Sequence, residues 1–334
     1  MKISLFDVEV WERDSFEPLA DAHELRFVAE PLTPDNVGEH SDAEVVSGFI
    51  FSTFNDRVLE QLNHLKLIAT RSTGFDHIRM DLCDERDITV CHVPTYGSNT
   101  VAEHVFGLLL TISHKLEEAI DRTRKGDFSP KGLQGFDLMG KTLGIVGTGD
   151  IGRDTIRIAK GFGMKVLAFD IQPDEQAAEE LGFCYVSMEK LLEESDIISL
   201  HVPANEKTRH LISQDEFEQM KRGAVLINTA RGDVVDTTAL VRALAEQKLS
   251  AAGLDVLPDE PVIREEAELL RSVYEQRHDL TTLLANHVLV HMRNVVVTPH
   301  SAFNTREAAS RILDTTLANI RAFAEGQPIN VVSS

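Results

Sequence analysis

Thr142-Leu-Gly-Ile-Val-Gly147-Thr-Gly149-Asp150-Ile151-Gly152 is an apolar run that enters a GxGxxG turn, and the residues after it carry a helical pattern. In a strand–turn–helix each glycine has its own task. Gly147 permits the tight turn, Gly149 lets a phosphate approach the backbone, and Gly152 lets helix and strand pack closely. The helix N-terminus offers N–H groups and a partial positive charge to a pyrophosphate. The next apolar run, 165–169, ends at Asp170, where a carboxylate can take the ribose hydroxyls of a dinucleotide. That carboxylate would repel a 2′-phosphate, and Ile171-Gln172-Pro173 add no arginine, so the expected cofactor is NAD rather than NADP. Without this context the loop would read as a ligand-free turn and Asp170 as a strand-terminal cap.

On both sides of this turn short β-branched runs alternate with amphipathic stretches. TLGIVG (142–147), KVLAFD (165–170), DIISL (196–200), AVLIN (224–228), AAGLDV (251–256) and NVVVT (294–298) read as buried parallel strands. KISLFD, LRFVAE, AEVVSG, LKLIAT and ITVCHV repeat the alternation within the first hundred residues. The fold class is therefore α/β, with two Rossmann-like, doubly wound parallel-sheet domains. A long helical pattern over 100–124 separates them, and another over 305–326 closes the chain. The terminal helix is expected to return to the first domain, which makes that smaller domain discontinuous: residues 1–100 plus 302–334, against 101–301. Residues 262–293 have helical spacing and read as a surface crossover.

The 334 residues exceed what one core usually serves, in keeping with two domains. Thirty-three Lys and Arg face 54 Asp and Glu, a net charge of −21. Such a surface repels nucleic acid and anionic membranes, so neither is an expected partner. No apolar stretch is long enough for a spanning helix, and the N-terminus reads as a first strand rather than a signal peptide. Cys83, Cys91 and Cys184 form no disulfide framework and no zinc spacing, so no metal is expected and the reducing cytoplasm is the expected compartment.

Three later segments hold the chemistry: Asn228-Thr-Ala-Arg231-Gly, Leu254-Asp255-Val-Leu-Pro-Asp-Glu260-Pro and Thr298-Pro-His300-Ser-Ala-Phe303. Each follows a predicted strand, at the carboxyl edge where open α/β sheets place ligands. An arginine fork grips a carboxylate or polarises a carbonyl. A histidine donates a proton as a carbonyl carbon is reduced and accepts it in reverse. A glutamate beside it would stabilise the charged imidazole. Taken singly, Arg231 is equally a surface ion pair, Glu260 a turn cap and His300 a structural histidine.

Seven ordered motifs change that balance: RSTGFDHI (71–78), VPTYGSNTVAEH (93–104), GIVGTGDIG (144–152), SLHVP (199–203), LINTARG (226–232), GLDVLPDEP (253–261) and TPHSAFNT (298–305). Over nearly its whole length the chain resembles the D-isomer-specific 2-hydroxyacid dehydrogenases, and within them the D-lactate dehydrogenases. The resemblance implies Arg231, Glu260 and His300 as the catalytic set, with His300 as acid/base. It implies cofactor contacts from Asp150 and Ile151 in the phosphate loop and from Val202 and Pro203 on the adenosine side. Thr208, Thr229 and Ala230 would approach the nicotinamide, and Asp255 its carboxamide. For Asp255 a role in orienting Arg231 is the alternative. The smaller domain would bind the substrate carboxylate through Thr73 and Gly74, with Tyr96 and Phe303 walling the pocket. Phe51 stands where lactate-type members often carry Tyr. Glu103 and His104 read as satisfying backbone polar groups on a hinge helix between the domains, with a second acid/base role for His104 as the alternative. A homodimer is the family's usual state.

The resemblance leaves other substrates open: hydroxypyruvate, glyoxylate, phosphoglycerate, phosphite and formate. Formate enzymes pair a Gln with the His, unlike Glu260, and no regulatory domain of the phosphoglycerate type follows residue 334. A different class, NADH-sensing corepressors, shares the fold but carries extensions that are not seen here.

Overall fold

The chain forms two units, Met1–Gly97 with Asn304–Ser334, and Ser98–Phe303, in a computed structural model that describes residues 1–258 and 280–332. In the first unit the early apolar runs become β1 (Lys2–Leu5), β2 (Glu24–Phe27), β3 (Val45–Ser47), β4 (Leu67–Ala69) and β5 (Thr89–Cys91). All five are parallel. With β13 (Val331–Val332) they line up in the order β13-β5-β4-β3-β1-β2, and β13 pairs antiparallel to β5. Apolar side chains cover both faces: Phe6, Phe54, Leu62 and Ile68 on one, Ile3, Leu5, Phe16 and Leu67 on the other. Burial on both faces is why β3 and β4 read as continuous apolar runs.

The terminal helix, Arg306–Ala324, begins where the Thr305 hydroxyl accepts from Ala308 N at 3.2 Å. Ile312, Leu313, Thr316 and Ile320 form its buried stripe. Fully buried Asn319 donates to His92 O at 2.9 Å and accepts from Asn330 Nδ2 at 2.8 Å. Those bonds fasten the returning chain to the end of β5.

Among the described residues the second unit has seven parallel strands: β6 (Thr142–Val146), β7 (Lys165–Phe169), β8 (Cys184–Tyr185), β9 (Ile197–Leu200), β10 (Ala224–Asn228), β11 (Leu249–Leu254) and β12 (Val295–Val297). Their order is β12-β11-β10-β9-β6-β7-β8. The chain leaves β6 toward β7 and β8, then crosses back to β9, so the direction of winding reverses between β6 and β9. Central β9 and β10 are buried along their whole length. Truncating Leu226 or Ile227 to Ala would cost about 2–5 kcal/mol. Val105, Phe106, Leu109 and Ile156 cover one face, and Leu191, Phe217, Leu240 and Leu289 cover the other.

Two sequence expectations differ from the structure. The helix expected over 100–124 is two helices, Ser98–Ser113 and Leu116–Arg124, parted by Lys115 at φ 50°. No Gly or Pro marks the break. Phe136 N donates to Ser113 O at 2.9 Å, so a segment distant in sequence takes the carbonyl at the first helix's end. The two-residue strands β8 and β13 were not anticipated, being too short to leave an apolar run. Of the 262–293 segment, Leu280–His291 is helical, with Leu283 and Leu289 buried; residues 262–279 lie outside the described residues. Among the described residues no helix is long and apolar enough to cross a membrane.

Candidate active site

The larger unit's candidate residues stand along one edge of its sheet, at the carboxyl ends of β6, β7, β9, β10, β11 and β12. The phosphate loop follows β6 at the reversal point. Gly147 has φ +95°, and a Cβ there would lie 2.4 Å from His201 O. A Cβ on Gly152 would lie 2.2 Å from Gly147 O, so only glycine lets the helix Asp150–Gly161 start this close to the strand. Above Gly149 a Cβ would meet nothing within 4 Å. Two glycines are thus demanded by packing, and the middle one fronts open space that fits a pyrophosphate. Asp150 and Ile151 form the first turn of that helix.

Asp170 follows β7. Its Oδ2 accepts from Thr148 N at 2.7 Å and Thr148 Oγ1 at 2.9 Å, and its Oδ1 from Gln172 N at 2.9 Å. Partial burial pushes its carboxyl upward, but the N–H groups of Gln172 and Thr148 outweigh that and hold it below the usual range. The group is therefore a carboxylate at neutral pH, as a ribose acceptor must be. Arg153 lies nearby but is paired with Asp174 at 2.9 Å.

After β9, Val202 is half-buried and Pro203 exposed. The Thr208 hydroxyl donates to Pro203 O at 2.6 Å and accepts from Asn205 N at 2.9 Å, which closes the loop on itself. After β10, buried Asn228 shapes the next loop: its Oδ1 accepts from Ala230 N at 3.0 Å, and its Nδ2 donates to Arg231 O at 2.9 Å. The Arg231 guanidinium donates to Ala230 O at 2.8 Å. Thr229 Oγ1 is buried with no hydrogen-bond partner among the described residues, an orphaned polar atom on the expected nicotinamide side. A Cβ on Gly232 would lie 2.2 Å from both Leu257 C and Pro258 N, so the segment after β11 packs directly on the Arg231 loop. Glu260 lies outside the described residues.

Asp255, at the end of β11, is 1 % exposed. Its Oδ1 accepts from Ser301 N at 2.9 Å and from the Thr298 hydroxyl, and its Oδ2 from Ala302 N at 2.9 Å. His104 Nε2 lies 3.3 Å from Oδ1 and 2.9 Å from Thr298 Oγ1. Burial alone would raise this carboxyl; hydrogen bonds led by His104 and Thr298 hold it low instead. The side chain is thus enclosed by the chain's own donors. Asp255 anchors the loop after β12. That loop carries His300 at φ +51°, with its N–H bonded to Asp255 O at 2.9 Å and Thr298 O at 3.0 Å. A non-glycine residue in the left-handed region persists only when its surroundings hold it there. Phe303, half-buried, is the last residue of this unit.

In the smaller unit, Thr73 and Gly74 follow β4 and Tyr96 follows the adjacent β5. Thr73 is exposed; its hydroxyl donates to Val93 O at 2.8 Å and its carbonyl meets His92 Nδ1 at 2.9 Å. Gly74 O accepts from Ser72 Oγ at 2.6 Å. Tyr96 O accepts from Arg311. Phe51 packs edge-on to Phe49, with ring centroids 5.5 Å apart.

Residues 106–302 match the family model "D-isomer specific 2-hydroxyacid dehydrogenase, NAD binding domain". The D-lactate dehydrogenase of Escherichia coli is 36% identical over 331 residues, 98% of each chain. The chain belongs to the D-isomer-specific 2-hydroxyacid dehydrogenase family. NAD is its cofactor. A glyoxylate reductase of Korarchaeum cryptofilum is 36% identical over 87% of this chain and 83% of its own. The D-lactate dehydrogenase of Aquifex aeolicus, solved with NAD and lactic acid, superposes with a TM-score of 0.85 at 36% identity over 97% of this chain and 96% of its own. In this 2-hydroxyacid dehydrogenase the sequence reading missed His104 as a neighbour of the His300 loop. TVAEH flagged His104, but only as a hinge residue, because its partners lie far along the chain.

Proposed function

We propose that this dehydrogenase reduces pyruvate to D-lactate, with Arg231, Glu260 and His300 as its catalytic residues. The observation that carries the reading is His300 held at φ +51° by Asp255, on the sheet edge that also bears Arg231 and the phosphate loop. Gly147, Gly149, Gly152 and Asp170 would hold the dinucleotide, with Val202, Pro203, Thr208, Thr229 and Ala230 along its length. When bound in its reduced form, the cofactor supplies the hydride. Arg231 grips the substrate carboxylate and polarises the carbonyl, since its fork matches both oxygens. His300 donates a proton to the carbonyl oxygen as the carbon is reduced. Glu260 favours the charged imidazole that this step needs. Thr73 and Gly74 would hold the carboxylate, and Tyr96 and Phe303 would serve as apolar walls.

A homodimer in the cytoplasm is part of this proposal. Leu116 and Ile120 are 41% and 50% exposed, and Phe128 and Met139 about four-fifths, which suits a second copy of the chain. Burial pushes the Cys83 and Cys91 thiols up to about 11, so both stay protonated and inert in a reducing compartment. NADH oxidation should be followed with pyruvate, phenylpyruvate, 2-oxobutyrate, oxaloacetate, hydroxypyruvate and glyoxylate, and pyruvate should give the highest kcat/KM. A lead by hydroxypyruvate or glyoxylate would replace the substrate and point to the pocket around Phe51. Sedimentation of the pure protein should return twice the chain mass.

A further inference from the structure

We infer that His104 is a positioning residue for the reaction: from the helix Ser98–Ser113 it holds the Asp255 carboxylate, and through it the loop that carries His300. The inference rests on the reading of His300 as the acid/base. Three of the donors to Asp255 come from the loop itself: the Thr298 hydroxyl and the N–H groups of Ser301 and Ala302. They tie the loop to the end of β11 and to nothing beyond it. His104 comes from another element, 194 residues from Thr298 in sequence. The Thr298 hydroxyl has one proton, and it goes to Asp255 Oδ1. The 2.9 Å contact between Thr298 Oγ1 and His104 therefore needs the hydrogen on Nε2, which also faces Asp255 Oδ1 at 3.3 Å. One N–H thus ties the helix to both groups that shape the loop. The main chain of Asp255 then receives His300 N at 2.9 Å, so the fixing continues to the strained residue.

The test is a double-mutant cycle between His104 and His300, with NADH affinity measured separately by fluorescence titration. His104→Ala should lower kcat for pyruvate reduction by about 10–100-fold, the scale of a slightly misplaced catalytic group. NADH affinity should stay at the wild-type value, and KM for pyruvate should change little. His104→Gln, whose amide N–H can reach the same place, should recover most of kcat. In a His300→Ala background the His104→Ala change should add nothing, because it acts through His300. Wild-type kcat in His104→Ala overturns the inference. So does an equal loss in the His300→Ala background, or a loss shared with NADH affinity that Gln does not restore. Should His104→Ala fail to fold, the cycle is run with Thr298→Val, which keeps the volume and removes the bridge, under the same criteria. If His300→Ala itself retains full activity, the acid/base reading falls; an inactive His300→Ala beside a fully active His104→Ala removes only the role of His104.

Discussion

The two units wind their sheets alike and treat the point of reversal in opposite ways. In the larger unit the turn after β6 is Gly147-Thr-Gly149, and nothing stands above Gly149. In the smaller unit the reversal falls between β1 and β3, and the turn after β1 is Phe6-Asp7, with Asp7 at φ +54°. The Asp7 carboxylate accepts from Phe49 N at 3.1 Å and Ser52 Oγ at 2.7 Å. Buried Arg71 donates to Phe6 O at 2.6 Å and Asp7 O at 2.7 Å. Phe49 N and Ser52 Oγ, donors that could serve an incoming anion, are already used by the chain's own carboxylate. Topology makes a crevice in both units; the residues at the turn decide whether it stays open for a ligand.

The largest effect should come from the chemistry on the open edge. His300→Ala should lower kcat by about 10²–10⁴-fold and leave NADH affinity nearly intact, by steady-state kinetics and fluorescence titration. Activity close to wild type would remove proton transfer from this edge. Next, Gly149→Val should weaken NADH binding by roughly 10–100-fold, equivalent to about 1.4–2.8 kcal/mol, with Tm unchanged, because the new side chain enters open space. A large loss of Tm instead would mean that the space is structural. Asp7→Ala sharpens the contrast from the other side. It strands Phe49 N and Ser52 Oγ, so urea unfolding should show a loss of about 1–3 kcal/mol. The variant should bind no additional NADH, and a second nucleotide equivalent would break the distinction.

The smallest effect is on pH dependence. His201 sits at the larger unit's reversal point, bonded to Ser199 Oγ at 2.9 Å, and desolvation pushes its pKa down to about 4. It is neutral in the folded chain and takes up a proton more readily when unfolded. Its contribution to stability is therefore complete above about pH 6.5 and is lost as pH falls toward about 4. His201→Gln should flatten the stability curve across that interval and leave it unchanged above pH 7.

Much of this was legible along the chain because the signals are local. Gly147, Gly149 and Gly152 stand at fixed spacing after an apolar run, and their roles follow from backbone sterics over a few residues. Asp170 is readable because one strand places it. Strands such as β3, β4, β9 and β10 are readable because burial on both faces demands continuous apolar runs. The placement of Arg231 and His300, each just after a strand end, was legible from the motifs that hold them. The break at Lys115 was not legible, since it depends on Phe136 N reaching Ser113 O. Nor was the closure of the crevice by Asp7, an acidic residue that reads along the chain as an ordinary strand end.

Asp255 marks the boundary between the two kinds of information. Sequence by itself determined that a carboxylate stands at the end of β11, near the loop of His300. Only the tertiary structure decided that it binds that loop, and that its outside donor is His104. The reason is physical. A strand's periodicity and a turn's glycine are dictated by neighbours within a few residues, whereas a buried carboxylate takes whichever donors packing brings within about 3 Å. Those donors come from elements that no local pattern connects.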